Sequence, residues 1–386
     1  MKGPLEGITV LDLSRLLPGP FCSLLLADLG AQVIKVEDPA GGDYLRWMEP
    51  FINGESAPFL ALNRNKKSLA LNLKSERGRE IFLRLAEKAD VVLEGFRPGT
   101  VERLGAGYET VRAVNPSIVY CSLTGYGQDG PYRQRAGHDV NYLALAGVLG
   151  LTGPKDGPPV IPAVQIADLS GGMYAALGIL AALWARERTG QGQYVDVAML
   201  DGVISWLVLL AAQHFAGFMP GRGDWLLSGG VPCYNVYQTR DGSYMALGAL
   251  EPKFWAAFCQ GVGREDLIPR QFDAQATAEM QAIFRGRTRE AWVAFAQEVD
   301  CCLEPVLGLD EVFAHPQVAQ REMRVQVEHP RLGRMAQLGL PLKFSATPGS
   351  IRSPAPRLGE HTAEILESLG YEQGEIQALR EAGVVV

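Results

Sequence analysis

The sequence has few of the features that mark nucleic-acid binding, zinc binding or membrane insertion. It has 36 Lys and Arg against 43 Asp and Glu, a net charge of −7, so a basic nucleic-acid surface is not expected. The six cysteines form no Cys-x-x-Cys pair, which leaves no zinc spacing and predicts reduced thiols in a cytoplasmic enzyme. The most apolar internal run, residues 203–212, is shorter than the roughly 20 residues of a membrane helix. No apolar signal core is visible near Met1, so we expect no membrane association.

The first half of the chain alternates short apolar segments with helical spacing. The segments rich in β-branched residues are 7–13, 32–37, 68–73, 90–94 and 117–123. Short apolar strands separated by helices predict a parallel sheet with helices on both faces, a doubly wound, Rossmann-like α/β fold. No Gly-x-Gly-x-x-Gly motif follows the first strand, so the usual dinucleotide-binding fingerprint is missing.

At 386 residues, the chain is longer than one compact core usually requires. We expect the N-terminal part of a large domain at 1–200 and a linker at 201–230. A smaller α+β domain is expected at 231–324, where Arg240-Asp241-Gly242 signals a hairpin. The last segment, 325–386, is expected to return and complete the large domain.

A polar segment around His138 interrupts the chain before an apolar helix. It reads Gly137-His138-Asp139-Val140-Asn141-Tyr142. His138 or Asp139 could simply cap the helix, because side chains there satisfy free backbone N–H groups. A helix N-terminus also disfavours an imidazolium ion and therefore favours the neutral imidazole that a general base requires.

Two further carboxylates precede predicted helices. Asp168 lies at the start of a long apolar helix and could simply cap it. That helix has Gly171 and Gly172 in its first turns. Each glycine costs a helix about 1 kcal/mol relative to alanine, so we expect a ligand or another chain to approach the backbone closely there. Glu251 follows a predicted strand of the small domain and is either a further acid–base group or an exposed residue at a helix start.

Cations cluster after the predicted strands of the large domain. The segment 63–68 contains Arg64, Lys66 and Lys67, Lys74 follows, and two arginines come after the strand that ends at Glu94. Ligands bind at the carboxyl edge of a parallel sheet, and guanidinium and ammonium groups suit phosphates. These side chains either bind phosphate or form a solvated charged face.

Several motifs resemble the class III CoA-transferase family, also called CaiB/BaiF, over nearly the whole chain. They are GITVLDLSRLLPGPFCSLLLADLG at 7–30, LEGFRPGTVERLG at 93–105, LTGYGQDG at 123–130 and LGEHT at 358–362. The stretches GHDVNYLALAG and GALEPKFW are similar to the α-methylacyl-CoA racemase branch. Transferases commonly have an aromatic residue where this chain has His138, and a glycine-rich loop in place of residues 248–252. The chain departs from the racemases at Asp38, where they can place an arginine, and its LNRNKKS segment is closer to many transferases.

The resemblance implies a racemase or epimerase that interconverts (R)- and (S)-2-methylacyl-CoA thioesters through an enolate. His138, supported by Glu251, and Asp168 would exchange the α-proton on opposite faces of the carbon. Two alternatives stay open: a CoA-transferase in which Asp168 attacks the thioester, and a CoA-binding protein without catalysis. No metal is implied, and no cofactor beyond the CoA moiety of the substrate.

The resemblance also implies a CoA site and an interlocked homodimer, in which Glu251 could come from the partner subunit. Asp139, Asn141 and backbone N–H groups near Gly137 are candidates for holding the thioester oxygen. The residues expected to bind CoA are Leu71, Asn72, Leu73, Lys74, Gly95, Phe96, Arg97, Arg103, Gly137, Asp139, Asn141 and Tyr142.

Overall fold

A computed structural model describes residues 3–219 and 221–386. The strands are β1 Thr9–Asp12, β2 Gln32–Glu37, β3 Phe51–Ile52, β4 Glu55–Ser56, β5 Lys66–Ala70, β6 Val91–Glu94, β7 Val119–Thr124, β8 Gln193–Ala198, β9 Tyr234–Gln238, β10 Tyr244–Gly248, β11 Leu303–Pro305, β12 Arg324–His329 and β13 Gly333–Leu338. The α-helices are α1 Pro18–Asp28, α2 Ala57–Leu62, α3 Glu76–Ala86, α4 Thr100–Arg103, α5 Tyr108–Val114, α6 Asp139–Leu145, α7 Val148–Leu151, α8 Ile166–Thr189, α9 Met199–Trp206, α10 Val208–Phe215, α11 Pro252–Gly261, α12 Thr277–Arg285, α13 Arg289–Glu298, α14 Leu309–Ala314, α15 Pro316–Gln320, α16 Thr362–Ser368 and α17 Gln373–Glu381.

The predicted parallel sheet is confirmed. Six strands lie in the order β5-β2-β1-β6-β7-β8, and every neighbouring pair is parallel. The apolar strand residues, such as Val92 and Leu11, are fully buried because helices cover both faces. From β1 the chain adds β2 and β5 on one side of the sheet. It then crosses to the other side of β1 and adds β6, β7 and β8. The switch point between β1 and β6 is where a doubly wound sheet opens a crevice at its carboxyl edge.

One strand and one apolar run differ from the expected organisation. The strand expected at 68–73 begins earlier, at Lys66, because two charged residues at its start are drawn into the sheet. The apolar run after Asp201 forms two helices, α9 and α10, that interrupt the expected linker. The expected hairpin around Asp241 is confirmed, with β9 and β10 paired antiparallel on either side.

The chain divides into two compact units. The first contains the chain up to Ala146, Val164–Ser205 and Pro316–Val386, so the C-terminal segment does return to the unit that holds the large sheet. The second contains Gly147–Ala163 and Trp206–His315. Its three-stranded antiparallel sheet, β11-β10-β9, and its helices enclose an aromatic core of Trp255, Phe258, Phe284 and Trp292. The smaller unit is therefore α+β, as expected.

In the described part of the chain, α8 alone is long and apolar enough to cross a membrane. Half of its most apolar window is buried inside the protein, and core helices of soluble proteins also meet these criteria. The run at 203–212, which the sequence marks as the most apolar, is divided between the shorter helices α9 and α10. The outward side of α8 exposes Met173, Leu177 and Trp184, which recur at helical spacing.

Candidate active site

A crevice of about 490 Å³ opens at the switch point of the large sheet. Its walls come from the loop after β1, the loop after β6 and the turn after β7, all at the carboxyl edge. Arg15 and Leu16 belong to the first loop, Phe96 and Arg97 to the second, and Tyr126 to the third. Because loops at this edge are free of the sheet's hydrogen-bond ladder, their side chains can face a ligand.

The crevice brings His138 and Asp168 together, although 29 residues separate them in the chain. His138 is the N-cap residue of α6, and its backbone N–H donates to Asn141 Oδ1 at 3.0 Å. No side-chain hydrogen bond from the imidazole caps the helix. The exposed imidazole is thus left available for a proton acceptor or donor in the crevice.

Asp168 lies in the first turn of α8 and is half-buried. The N-cap residue of this helix is Gln165, so the capping interpretation of Asp168 is wrong. Burial, with a smaller contribution from the nearby Asp139, raises the pKa of Asp168 from 3.8 to about 7. A carboxyl group with this pKa can both hold and release a proton near neutral pH.

Asp139 connects the two helix starts. It follows His138 at the first position of α6, is buried, and its Oδ1 accepts the backbone N–H groups of Ala167 at 2.6 Å and Asp168 at 3.2 Å. The expectation that Asp139 holds the thioester oxygen is therefore corrected. Its Oδ1 is directed at the backbone at the start of α8, and Asp139 does not line the crevice. Its contacts position α8 beside His138.

The close approach expected at Gly171 and Gly172 is made by the protein itself. A Cβ on Gly171 would lie 2.6 Å from the Met199 side chain. A Cβ on Gly172 would lie 2.6 Å from the carbonyl oxygen of Pro18, in α1. Gly172 therefore allows α8 to pack against α1, and Gly171 leaves room for Met199 of α9, so neither a ligand nor another chain is needed to explain them.

The residues expected to bind CoA fall into three groups. Gly95, Phe96, Arg97, Gly137 and Tyr142 line the crevice. Leu71, Asn72, Leu73 and Lys74 line a small adjoining pocket of about 60 Å³ that also includes Phe96. Arg103, Asp139 and Asn141 line neither; Arg103 is exposed and donates to Thr100 Oγ1 at 3.1 Å.

The predicted basic cluster at 63–68 is not a phosphate-binding surface. Arg64 is buried and paired with Asp28 at 2.6 Å. Lys66 is buried and donates to the carbonyl oxygen of Pro20, while Lys67 pairs with Glu364. These cations fix the chain internally, because charged groups drawn into the sheet need hydrogen-bonding partners.

Glu251 belongs to the second unit, where it is the exposed N-cap residue of α11. No side-chain hydrogen bond from its carboxylate caps that helix. The structure therefore leaves the carboxylate available for an interaction outside its own helix.

Sequence reasoning missed several residues of the crevice. Arg15, Arg133 and Arg135 all line it, together with Ser14 and Tyr126. Arg133 and Arg135 lie within five residues of His138. Their position beside the polar segment could have indicated that they belong to the same site. Arg15 follows β1 directly, at the position where a switch-point ligand is expected, and this was a second usable signal.

Glu94 is a buried carboxyl group directly beneath the crevice. It ends β6, is 1% exposed, and its Oε2 accepts the Phe96 backbone N–H at 2.7 Å. Burial raises the pKa of Glu94 from 4.5 to about 7, against the hydrogen bonds from Ser122 and Phe96 that lower it. The carboxyl group thus fixes the turn that carries Phe96 and Arg97 into the crevice.

Glu94→Gln is expected to flatten the pH dependence of stability. Between pH 4.5 and 7 the folded state holds a proton at Glu94 that the unfolded state has released, so the free energy of unfolding falls as pH rises through that window. The loss is at most about 3 kcal/mol. Glutamine keeps the acceptor for Phe96 and cannot ionise. Urea unfolding at pH 5 and pH 8 should show a smaller difference for the variant than for the wild type. Equal differences would contradict this assignment.

Within residues 3–219 and 221–386, no group of three or more His, Cys, Asp and Glu side chains is placed to hold a metal ion. All six cysteines are free thiols, and five of them are buried. The crevice itself presents an imidazole, a carboxyl group and several guanidinium groups.

The fold and the crevice define an α/β protein that presents an imidazole, a carboxyl group and several arginines at the switch point of a parallel sheet. Residues 5–362 match CoA-transferase family III, and the chain belongs to that family. The resemblance to the class III CoA-transferases is therefore confirmed.

Known relatives include both transferases and racemases. The succinyl-CoA:glutarate CoA-transferase of Mus musculus is 38% identical over 99% of this chain and 90% of its own length. The alpha-methylacyl-CoA racemase of Homo sapiens is also 38% identical, over 99% of this chain and 97% of its own length. A crystal structure of a CaiB/BaiF family protein from Brucella suis is similar with a TM-score of 0.84 and 32% identity, covering 96% of this chain and 100% of that one. Overall identity supports the family and does not favour one reaction.

Proposed function

We propose that this protein is an α-methylacyl-CoA racemase that interconverts (R)- and (S)-2-methylacyl-CoA by proton transfer. The observation that carries the proposal is the presence of His138 and Asp168 in one crevice, at the starts of two helices that Asp139 joins. Inversion by proton transfer needs one group on each face of the α-carbon, one to remove the proton and one to deliver it. An imidazole and a carboxyl group of raised pKa supply such a pair.

The two groups differ in their surroundings in a way that suits this chemistry. Asp168 is half-buried, and its pKa of about 7 places it close to the operating pH of a general acid or base. His138 is exposed to the crevice, where its proton can exchange with solvent. A raised pKa lowers the ionised fraction of Asp168 at neutral pH, whereas a nucleophilic carboxylate must be ionised to attack.

The removed proton leaves an enolate whose charge must be stabilised on the thioester oxygen. We propose that the backbone N–H of Gly137, which lines the crevice beside His138, supplies a hydrogen bond there. Leu71–Lys74 and Gly95–Arg97 line the two connected pockets proposed for CoA.

A homodimer belongs to the same proposal. The apolar residues Met173, Leu177 and Trp184 on the outward side of α8 are 52%, 61% and 66% exposed, which favours burial against a second copy. In the proposed interlocked dimer, Glu251 of one subunit supports His138. A cytoplasmic enzyme is consistent with its free cysteines.

Sedimentation equilibrium is expected to give twice the mass of one chain. Leu177→Glu, which places a charge at the centre of the proposed α8 contact, should weaken or abolish the dimer because a buried charge without a partner is costly. An exposed apolar residue elsewhere, Phe272 at 54% exposure, provides the matched control as Phe272→Glu. A wild-type monomer at micromolar concentration would refute the dimer.

CoA transfer between carboxylic acids is the second candidate. Asp168 would attack the thioester carbonyl carbon, release the CoA thiolate and form a mixed anhydride. An acceptor carboxylate would then attack the aspartyl carbonyl carbon, release the donor acid as its carboxylate and form a second mixed anhydride. The CoA thiolate would attack the acceptor's carbonyl carbon in that anhydride, which gives the new thioester and frees the Asp168 carboxylate. A relative named as a transferase and one named as a racemase are each 38% identical to this chain, so sequence identity supports both candidates equally.

The two reactions are separated by supplying one enantiomer of 2-methylbutyryl-CoA without any acceptor acid. The proposed racemase should convert it to a mixture of both enantiomers with the thioester intact, as followed by chiral chromatography. Hydroxylamine should trap no acyl group on the protein. Retained stereochemistry together with a trapped acyl-enzyme at Asp168 would instead establish transfer.

A further inference from the structure

Four arginines line the crevice, and within the part of the chain that the structure describes none of them is within ion-pair distance of a carboxylate. They are Arg15, Arg97, Arg133 and Arg135. The chain as a whole is acidic, with a net charge of −7. Guanidinium groups held around one crevice without acidic partners repel one another and favour a bound anion.

Arg15 differs from the other three because it lines both the crevice and the small adjoining pocket. The small pocket contains Lys74, but that ammonium group is 3.9 Å from Asp38, so its charge is partly compensated. Asp38 occupies the position at which the sequence departs from the racemases. Arg15 thus lines both pockets and, among the described residues, has no carboxylate within ion-pair distance.

The backbone on both sides of Arg15 is held by buried charges. Lys35 Nζ donates to the carbonyl oxygen of Ser14 at 2.9 Å, and Asp43 Oδ1 accepts the backbone N–H of Leu16 at 3.0 Å. Lys35 and Asp43 form an ion pair of 2.8 Å, and both side chains are fully buried. Buried ion pairs contribute little net stability. The pair is therefore better explained by its hydrogen bonds to the backbone of Ser14 and Leu16, which fix the loop that carries Arg15.

The conformation of this loop is also unusual. Leu16 has a φ of +63°, in the left-handed region that non-glycine residues rarely adopt. Such backbone conformations persist where surrounding contacts enforce them, and they concentrate at ligand sites. The buried pair of Lys35 and Asp43 supplies those contacts.

Aromatic rings orient the Arg15 guanidinium group. Its Cζ lies 5.0 Å from the Phe96 ring centroid and 5.4 Å from that of Tyr44, within the range of a cation–π contact. The nearest hydrogen-bond partner is the Tyr44 hydroxyl, at a long 3.4 Å. Most of the N–H donors of the guanidinium group therefore remain available.

We propose that Arg15 binds a phosphate group of CoA at the switch point and makes the enzyme selective for thioesters that carry the nucleotide. This inference rests on the proposed CoA-thioester function. A guanidinium group bound to a phosphate forms charge-assisted hydrogen bonds, whereas the pantetheine half of CoA without the nucleotide has no phosphate to accept them.

The test compares binding of CoA with binding of pantetheine by isothermal titration calorimetry of the full-length protein. Arg15→Gln should weaken CoA binding about 10- to 100-fold and leave pantetheine binding unchanged, as expected for losing hydrogen bonds between charged groups. Arg15→Lys should recover part of the affinity, and the dependence of CoA affinity on salt should become shallower in Arg15→Gln. The control is Arg77→Gln, an exposed arginine of α3 outside both pockets, which should bind CoA as the wild type does.

An equal loss of affinity for CoA and pantetheine in Arg15→Gln would overturn the proposal, since it would indicate a structural role. Unchanged CoA affinity would overturn it as well. The binding assay involves no turnover, so selective loss of CoA affinity would support the Arg15 assignment even if the wild-type protein failed to racemise any acyl-CoA. A wild-type protein that binds no CoA would overturn both proposals.

Discussion

His138→Ala is expected to reduce racemisation of 2-methylacyl-CoA by about 10²- to 10⁴-fold, the range that a positioned general acid or base contributes. The loss should occur with either enantiomer as the substrate. Each direction needs both groups, one as the base and one as the acid, so removing one stops inversion both ways. Chiral chromatography of the product measures the effect.

The more diagnostic result for His138→Ala is in proton exchange. Asp168 should still remove the α-proton from one enantiomer in deuterium oxide and return a deuteron to the same face. That enantiomer should exchange slowly with retained configuration, while the other should not exchange. Because His138 is exposed and its side chain caps no helix, the melting temperature should remain close to that of the wild type. Full racemisation activity in the folded variant would exclude His138 from the reaction.

Asp168→Asn carries the second large effect, again about 10²- to 10⁴-fold in racemisation. Asparagine has nearly the same shape but does not exchange a proton at neutral pH. The remaining exchange should now occur with the opposite enantiomer, the one whose proton His138 removes. Asp156→Asn, an exposed aspartate of the second unit, is the matched control and should retain full activity.

The pH profile provides an independent check on the same pair. A pair that shares one proton is active only in its singly protonated state, so kcat/KM of the wild type should be bell-shaped. The profile should be the same from either enantiomer, because both directions use the same protonation state of the pair. A transferase that needs only ionised Asp168 would instead gain activity as pH rises through about 7 and then level off.

Local sequence patterns predicted the sheet because its strands are short apolar runs. Strands such as β2 and β6 were found within a residue of their bounds, and the return of the C-terminal segment was also expected. Lys35 and Lys66 were not recognised as buried, since charged side chains normally indicate exposure. Their partners are distant in sequence and appear only when the sheet is assembled.

The residues of the candidate site were harder to predict from local sequence patterns than the strands of the sheet. His138 and Asp168 each allow a capping interpretation, and family motifs gave the reason to select them. The carboxylate of Asp139 bonds to backbone groups 28 and 29 residues away, a contact that no local spacing specifies. Arg15 was overlooked because a single arginine after a strand carries little signal until the crevice and its unpaired charge are known.

Exchange of the α-proton by the wild-type protein tests the central proposal most directly. The protein would be incubated with each enantiomer of 2-methylbutyryl-CoA in deuterium oxide, without an acceptor acid, and the α-position followed by NMR. The proposal predicts deuterium uptake from both enantiomers, accompanied by loss of optical purity. If neither enantiomer took up deuterium, across several branched acyl-CoAs that the protein binds, the result would contradict racemisation. CoA transfer would then be the remaining candidate.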